Sequence, residues 1–126
     1  MRRENMLPDS EIQLLNLVWQ YEPVKATELS AIAWGELGWK APTTYTLLKR
    51  LCDKEILMRN EPDFVVTSLM SREQIAQVHT NKIVNKLYNG SRKLFLTSYI
   101  NKESLSLEDV AELRALLENY DNSSEV

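Results

Sequence analysis

A mainly α-helical chain in two parts is predicted, an N-terminal unit over 7–70 and a helical unit over 71–121. Three observations predict it. Apolar residues recur at helical spacing through most of the chain. The period switches once, to two short β-branched or apolar runs, Ile56-Leu-Met-Arg-Asn and Phe64-Val-Val-Thr-Ser-Leu, around Glu61-Pro62-Asp63. Helical stripes then resume with no further strand signal. Three helices followed by a hairpin form a winged helix-turn-helix domain with a short β-hairpin. The apolar stripes beyond it have no sheet to cover them, which predicts a helical dimerisation domain.

Composition bounds the function. The chain has 126 residues, 44% hydrophobic and 26% charged, with only 3 Gly and 4 Pro, as expected of much helix and few long loops. No apolar run approaches the ~18 residues that cross a bilayer, and no apolar core follows Met1-Arg-Arg, so neither membrane insertion nor a signal peptide is expected. The lone Cys52 rules out an internal disulfide and fits a reducing cytoplasm. Net charge is −3, yet it is segregated. Residues 75–102 hold Lys82, Lys86, Arg92, Lys93 and Lys102 with no acid, while seven acids and only Arg114 lie from Glu103 onward.

In order along the chain, Ser10 with Gln13 forms a capping-box pattern for the first helix, whose stripe is Ile12, Leu15, Val18 and Trp19 and which should end before Pro23. A short extended piece from Val24 leads to a second helix starting at Ala26 or Thr27. Leu29, Ile32 and Ala33 form its inner face, and Gly38 supplies a left-handed stop. Trp34 and Trp39 flank the stop as packing residues. A third helix starts at Pro42 and runs to about residue 55. Glu55 is anomalous there, since glycine ends a helix more easily. After the hairpin, with its acidic tip, Ser71 and Gln74 cap a long helix ending at Gly90. Another follows from about Ser91 to Asn101, and Ser106 with Asp109 caps the last, which should fray from Asp121.

Residues 40–58 organise the chain. In the third helix Thr44, Leu47, Leu48 and Leu51 share one face, and the other carries Thr43, Thr46, Lys49 and Arg50 with Tyr45 on its flank. Hydroxyls near a helix start can hold phosphates or base edges, and the cations after them attract phosphate. The expected DNA-contacting set is Lys40, Thr43, Thr44, Tyr45, Thr46, Lys49 and Arg50. The expected dimerisation set is Leu87, Leu94, Phe95, Tyr99, Val110, Leu113 and Leu117.

Catalysis has little support. His79 has no evident Ser, Cys or carboxylate partner, Cys52 reads as a small apolar filler, and neither metal-ligand spacing nor a phosphate loop occurs. No enzyme, metal or cofactor is expected.

Three stretches carry a resemblance. Leu7-Pro-Asp-Ser-Glu-Ile-Gln-Leu-Leu-Asn-Leu-Val-Trp19 resembles the opening helix of the BlaI/MecI family of bacterial penicillinase and methicillin-resistance repressors. Thr43-Thr-Tyr-Thr-Leu-Leu-Lys-Arg-Leu51 resembles their recognition helix, and Lys102-Glu-Ser-Leu-Ser-Leu-Glu-Asp-Val-Ala-Glu-Leu-Arg114 their last helix. The resemblance spans about residues 7–118 and implies a homodimer that represses transcription from a palindromic DNA operator. It also implies relief when a sensor-linked protease triggers cleavage in the dimerisation helices. Ser98-Tyr99 stands where such members carry Asn before an aromatic residue. Asp53 and Glu55 stand where they usually carry Lys and Gly, and the C-terminal cysteine cluster of copper-responsive relatives is missing. The expectation is a dimeric repressor. Its rivals are a winged helix used for protein–protein assembly without DNA, which the charge of −3 would suit, and a small-molecule-gated regulator.

Overall fold

Pro8 starts the first helix. In the computed structural model, which describes residues 6–102 and 104–123, α1 spans Asp9–Tyr21 with Pro8 as its N-cap and no side-chain cap bond. The Pro8 carbonyl accepts the N–H groups of Glu11 and Ile12 at 3.0 and 3.1 Å. The expected Ser10/Gln13 capping box is therefore not formed. A helix that begins at Asp9 places Ser10 inside its first turn, where its hydroxyl is no longer at the cap position.

β1 (Val24–Lys25) follows, then α2 (Ala26–Leu37), which stops at Gly38 with φ 72°. Leu29 and Ala33 are buried and Ile32 is half-buried, as the spacing predicts. Trp34 departs from expectation. It lies one residue beyond Ala33 on the outer side of the helix and is 60% exposed, whereas Trp39 packs against the core.

α3 spans Ala41–Asp53 with Pro42 at its second position. Its end is an orthodox C-terminal turn made by an unorthodox residue. Lys54 is the C-cap, Glu55 takes φ 61°, and the N–H groups of Glu55 and Ile56 bond the carbonyls of Cys52 and Leu51, each at 3.0 Å. That pair of bonds is the Schellman motif, and its apolar contact is supplied by Leu51 and Ile56, both fully buried. A side chain at a left-handed position costs about 1–2 kcal/mol that glycine avoids. Glu55→Gly should therefore raise stability by about 1 kcal/mol, seen as a higher urea midpoint at unchanged slope. A lower midpoint would contradict the assignment of strain to this residue.

β2 (Leu57–Asn60) and β3 (Val65–Ser68) form the expected hairpin. They pair antiparallel with Leu57 opposite Ser68 and Asn60 opposite Val65. β1 adds a third strand, Val24 opposite Val66, giving the order β1-β3-β2. Two residues are too few to show an alternating pattern, so the sequence marks this piece only as extended. The core gathers Leu14, Leu15 and Val18 from α1, Leu29 from α2, Leu48 and Leu51 from α3, and Ile56 and Val66 from the hairpin. Half-buried Trp19 packs at its edge, donating its indole N–H to the Met70 carbonyl at 3.0 Å.

α4 (Arg72–Leu87) opens with the capping box the sequence specifies. Ser71 Oγ accepts the Gln74 N–H at 3.1 Å and Gln74 Oε1 accepts the Ser71 N–H at 2.8 Å. The chain divides into two compact units within this helix, between Ile83 and Val84. Ile75 is part of the N-terminal core, and His79 Nε2 accepts the Leu7 N–H at 3.1 Å. His79 thus serves as a structural hydrogen-bond acceptor for the start of the chain's first core segment.

The second unit contains α5 (Arg92–Lys102) and α6 (Leu107–Ser123). Ser91 Oγ accepts the Leu94 N–H and Ser106 Oγ the Asp109 N–H, each at 3.0 Å, so both helix starts are capped by serine. Phe95 packs edge-on to Tyr88 at 5.5 Å and stacks on Tyr99 at 6.3 Å. Among the described residues of this unit only Val84 is buried. Leu87, Leu94, Tyr99, Leu113 and Leu117 are exposed, and Phe95 and Val110 are half-buried.

Candidate nucleic-acid interface

α3 is sharply two-sided. Leu47, Leu48 and Leu51 are locked into the core, which fixes the rotation of the helix about its axis. Thr43, Thr46, Lys49 and Arg50 are consequently all exposed, and Lys40 lies exposed just before the first turn. Thr43, Thr46 and Arg50 line an open groove with Pro42, Trp39 and Ser10. Hydroxyls and one guanidinium share this surface, a donor set suited to phosphates and base edges.

Thr44 is a correction. It was expected among the DNA-contacting residues, yet it is fully buried on the Leu48 side of the helix. Nucleic acid has no access to it, because a residue between Leu47 and Leu48 neighbours in the inner stripe cannot also face out. Its Oγ1 is buried without a hydrogen-bond partner. A buried hydroxyl left unpaired costs about 1–3 kcal/mol. Thr44→Val keeps the shape and removes the unpaired group, so it should leave stability unchanged or raise it by up to about 1 kcal/mol. A clear fall in melting temperature would show that the hydroxyl has a partner.

Tyr45 is half-buried, its ring packed edge-on to Phe64 at 6.1 Å, so it presents only one edge. Lys49 bonds Asp53 one turn on at 3.2 Å, an exposed pair of the kind that is weak and easily exchanged for another anion. Arg59 on β2 stacks over Phe64 at 3.8 Å and bonds Glu61 at 2.7 Å. The hairpin's one cation is thus paired with an acid, and with Asp63 also at the tip the hairpin stays net acidic. Lys54 changes most. A cation by residue type, it is buried in an ion pair with Glu11 at 2.6 Å, and only Lys40, Lys49 and Arg50 remain open on this helix and its approach.

Two features escaped sequence reasoning. Ser10 reaches the groove from α1 because Pro8 displaces it from the cap. The Glu11–Lys54 pair spans 43 positions, and no local pattern announces it. Cys52 is half-buried, and burial first, then the neighbouring Asp53, pushes its thiol pKa up, consistent with an unreactive filler. Among the described residues no cluster of three or more His, Cys, Asp or Glu side chains could hold a metal, and no helix is long and apolar enough to cross a membrane.

Comparison with known proteins agrees with the fold. The chain is 23% identical to the penicillinase repressor of Bacillus licheniformis over 124 residues, covering 97% of each. It is 25% identical to the methicillin resistance regulatory protein MecI of Staphylococcus aureus (strain N315) over 113 residues, 88% of this chain and 92% of that one. The penicillinase repressor of Staphylococcus aureus is 27% identical over 110 residues, 86% and 87% of the two chains. The penicillinase repressor family model matches residues 7–119. A winged helix with a helical second unit, matched along nearly its whole length, places this chain in the penicillinase repressor family.

Proposed function

We propose that this protein is a homodimeric transcriptional repressor that binds a palindromic operator through α3. The observation that carries the reading is the two-sidedness of that helix: Leu47, Leu48 and Leu51 anchor one side, and Thr43, Thr46, Lys49 and Arg50 project from the other. In this reading Thr43 and Thr46, with the exposed edge of Tyr45, meet bases or phosphates in a major groove. Lys40, Lys49 and Arg50 contact the backbone. Two copies related by a dyad would place their helices about 34 Å apart, one turn of DNA.

Leu87, Leu94, Phe95, Tyr99, Val110, Leu113 and Leu117 are the proposed dimer contacts. Their support is the amount of apolar surface that one copy leaves open on α5 and α6. A sensor-linked protease acting at Ser98–Tyr99 would cut the middle of α5, which carries Leu94, Phe95 and Tyr99, and so dissolve the dimer.

Titration of labelled palindromic duplexes at two salt concentrations tests the reading. Tight binding at low salt that weakens steeply with added salt is expected. No binding at low salt would favour a winged helix used for protein assembly, the reading that the charge of −3 and the acid-paired Arg59 would suit. Thr43→Ala and Thr46→Ala should narrow the gap between operator and random sequence by about 1–3 kcal/mol while sparing random-sequence affinity. Equal losses on all sequences would assign these hydroxyls to phosphate alone.

A further inference from the structure

We propose that the buried Glu11–Lys54 ion pair is a positioning pair, which sets the angle of α3 against α1 and thereby the discrimination between operator and random DNA. This deepens the repressor reading and rests on it. The pair bridges the first turn of α1 and the C-cap of α3 at 2.6 Å, with the two side chains 2% and 8% exposed. Leu14, Leu15, Leu51 and Ile56, all fully buried, belong to the same stretches of chain.

Stability alone does not account for charges in such a place. Well-packed apolar side chains of similar volume often serve a core equally well or better. What an apolar contact does not supply is direction. Leucine against leucine tolerates a small slide, whereas a dehydrated carboxylate and ammonium offset their desolvation only when they meet in good geometry. The pair therefore penalises small slides and tilts of α3 against α1 that the leucine stripe would allow.

Its location makes that penalty useful. Lys54 sits where α3 turns through Glu55 into Ile56 and β2, so one contact holds both the far end of the helix and the root of the hairpin. Ser10, next to Glu11, lines the groove with Thr43, Thr46 and Arg50. One turn of α1 thus holds the C-terminal end of α3 through Glu11 and borders, through Ser10, the groove along its exposed face. Base readout needs donors held in register with base edges, while backbone attraction depends mainly on charge. Loosening α3 should cost the first and spare the second.

The test uses the full chain and two duplexes. One is the sequence that the native protein enriches from a randomised pool, and the other is a scrambled duplex of equal length. Glu11→Met/Lys54→Met replaces the pair with apolar groups of similar length. It should melt within a few degrees of native and bind the scrambled duplex with native affinity and salt slope. Its preference for the enriched duplex should fall by about tenfold. Glu11→Asp keeps both charges and draws the carboxylate back by one methylene. It should lose preference in the same direction, and it decides the matter if the double variant does not fold. A native ratio of the two affinities in a folded variant overturns the inference and leaves the repressor reading intact. A native protein that enriches no sequence and binds neither duplex at low salt overturns both.

Discussion

Lys54→Met should cost roughly 3–5 kcal/mol of folding stability, because it leaves the Glu11 carboxylate buried without its partner. That is a large share of the ~5–15 kcal/mol available to a domain of this size. Glu11→Gln should cost less. A lysine left behind has a flexible stem and can turn its ammonium toward water, whereas the glutamate is held on a helix turn packed into the core. Urea unfolding of both variants and of the double apolar replacement measures the asymmetry and yields the coupling between the two charges. A loss under about 1 kcal/mol for Lys54→Met would mean that Glu11 finds water or another donor, and the positioning pair would lose its energetic basis.

Arg50→Ala should weaken binding to operator and random DNA alike and flatten the plot of log K against log salt by about 0.9, one phosphate contact's worth of released counterion. Arg50 lies exposed in the groove with Thr43 and Thr46, and no ion pair to it occurs among the described residues. Lys49→Ala should flatten the slope less. Its ammonium is shared with Asp53, so the free protein loses a favourable contact before phosphate gains one. An unchanged slope for Arg50→Ala would remove the backbone role from this face. A drop confined to the operator would make Arg50 a base reader instead.

Much of this protein was legible before any coordinates. Gly38, the Ser71/Gln74 and Ser106/Asp109 pairs and the apolar spacing of α2 and α3 are local signals, and the structure agrees with each within a residue or two. Even the discomfort of Glu55 could be read from the chain, since ending a helix without glycine leaves a side chain at positive φ. Ser10 shows where local signals mislead. Its capping pattern was sound chemistry, but Pro8 offered an earlier start with a φ suited to leaving an extended segment.

The recognition surface divides in the same way. Helical spacing alone separated Thr43, Thr46, Lys49 and Arg50 from the leucine stripe, because a period of 3.6 residues needs no partner to define two faces. Whether a residue near the boundary is inside or outside depends on what packs there. Tertiary structure therefore decided that Tyr45 lies against Phe64 and that Trp34 faces out, whereas Thr44 is buried where its spacing with Leu47, Leu48 and Leu51 already put it. It also decided the charge. By residue type Lys54 adds a cation at the end of α3, but only the folded chain brings Glu11 across 43 positions to bury and neutralise it. Composition and period determine which faces exist. The long-range pairing of charges, invisible to any local pattern, determines which of them is left to meet DNA and how firmly α3 is held.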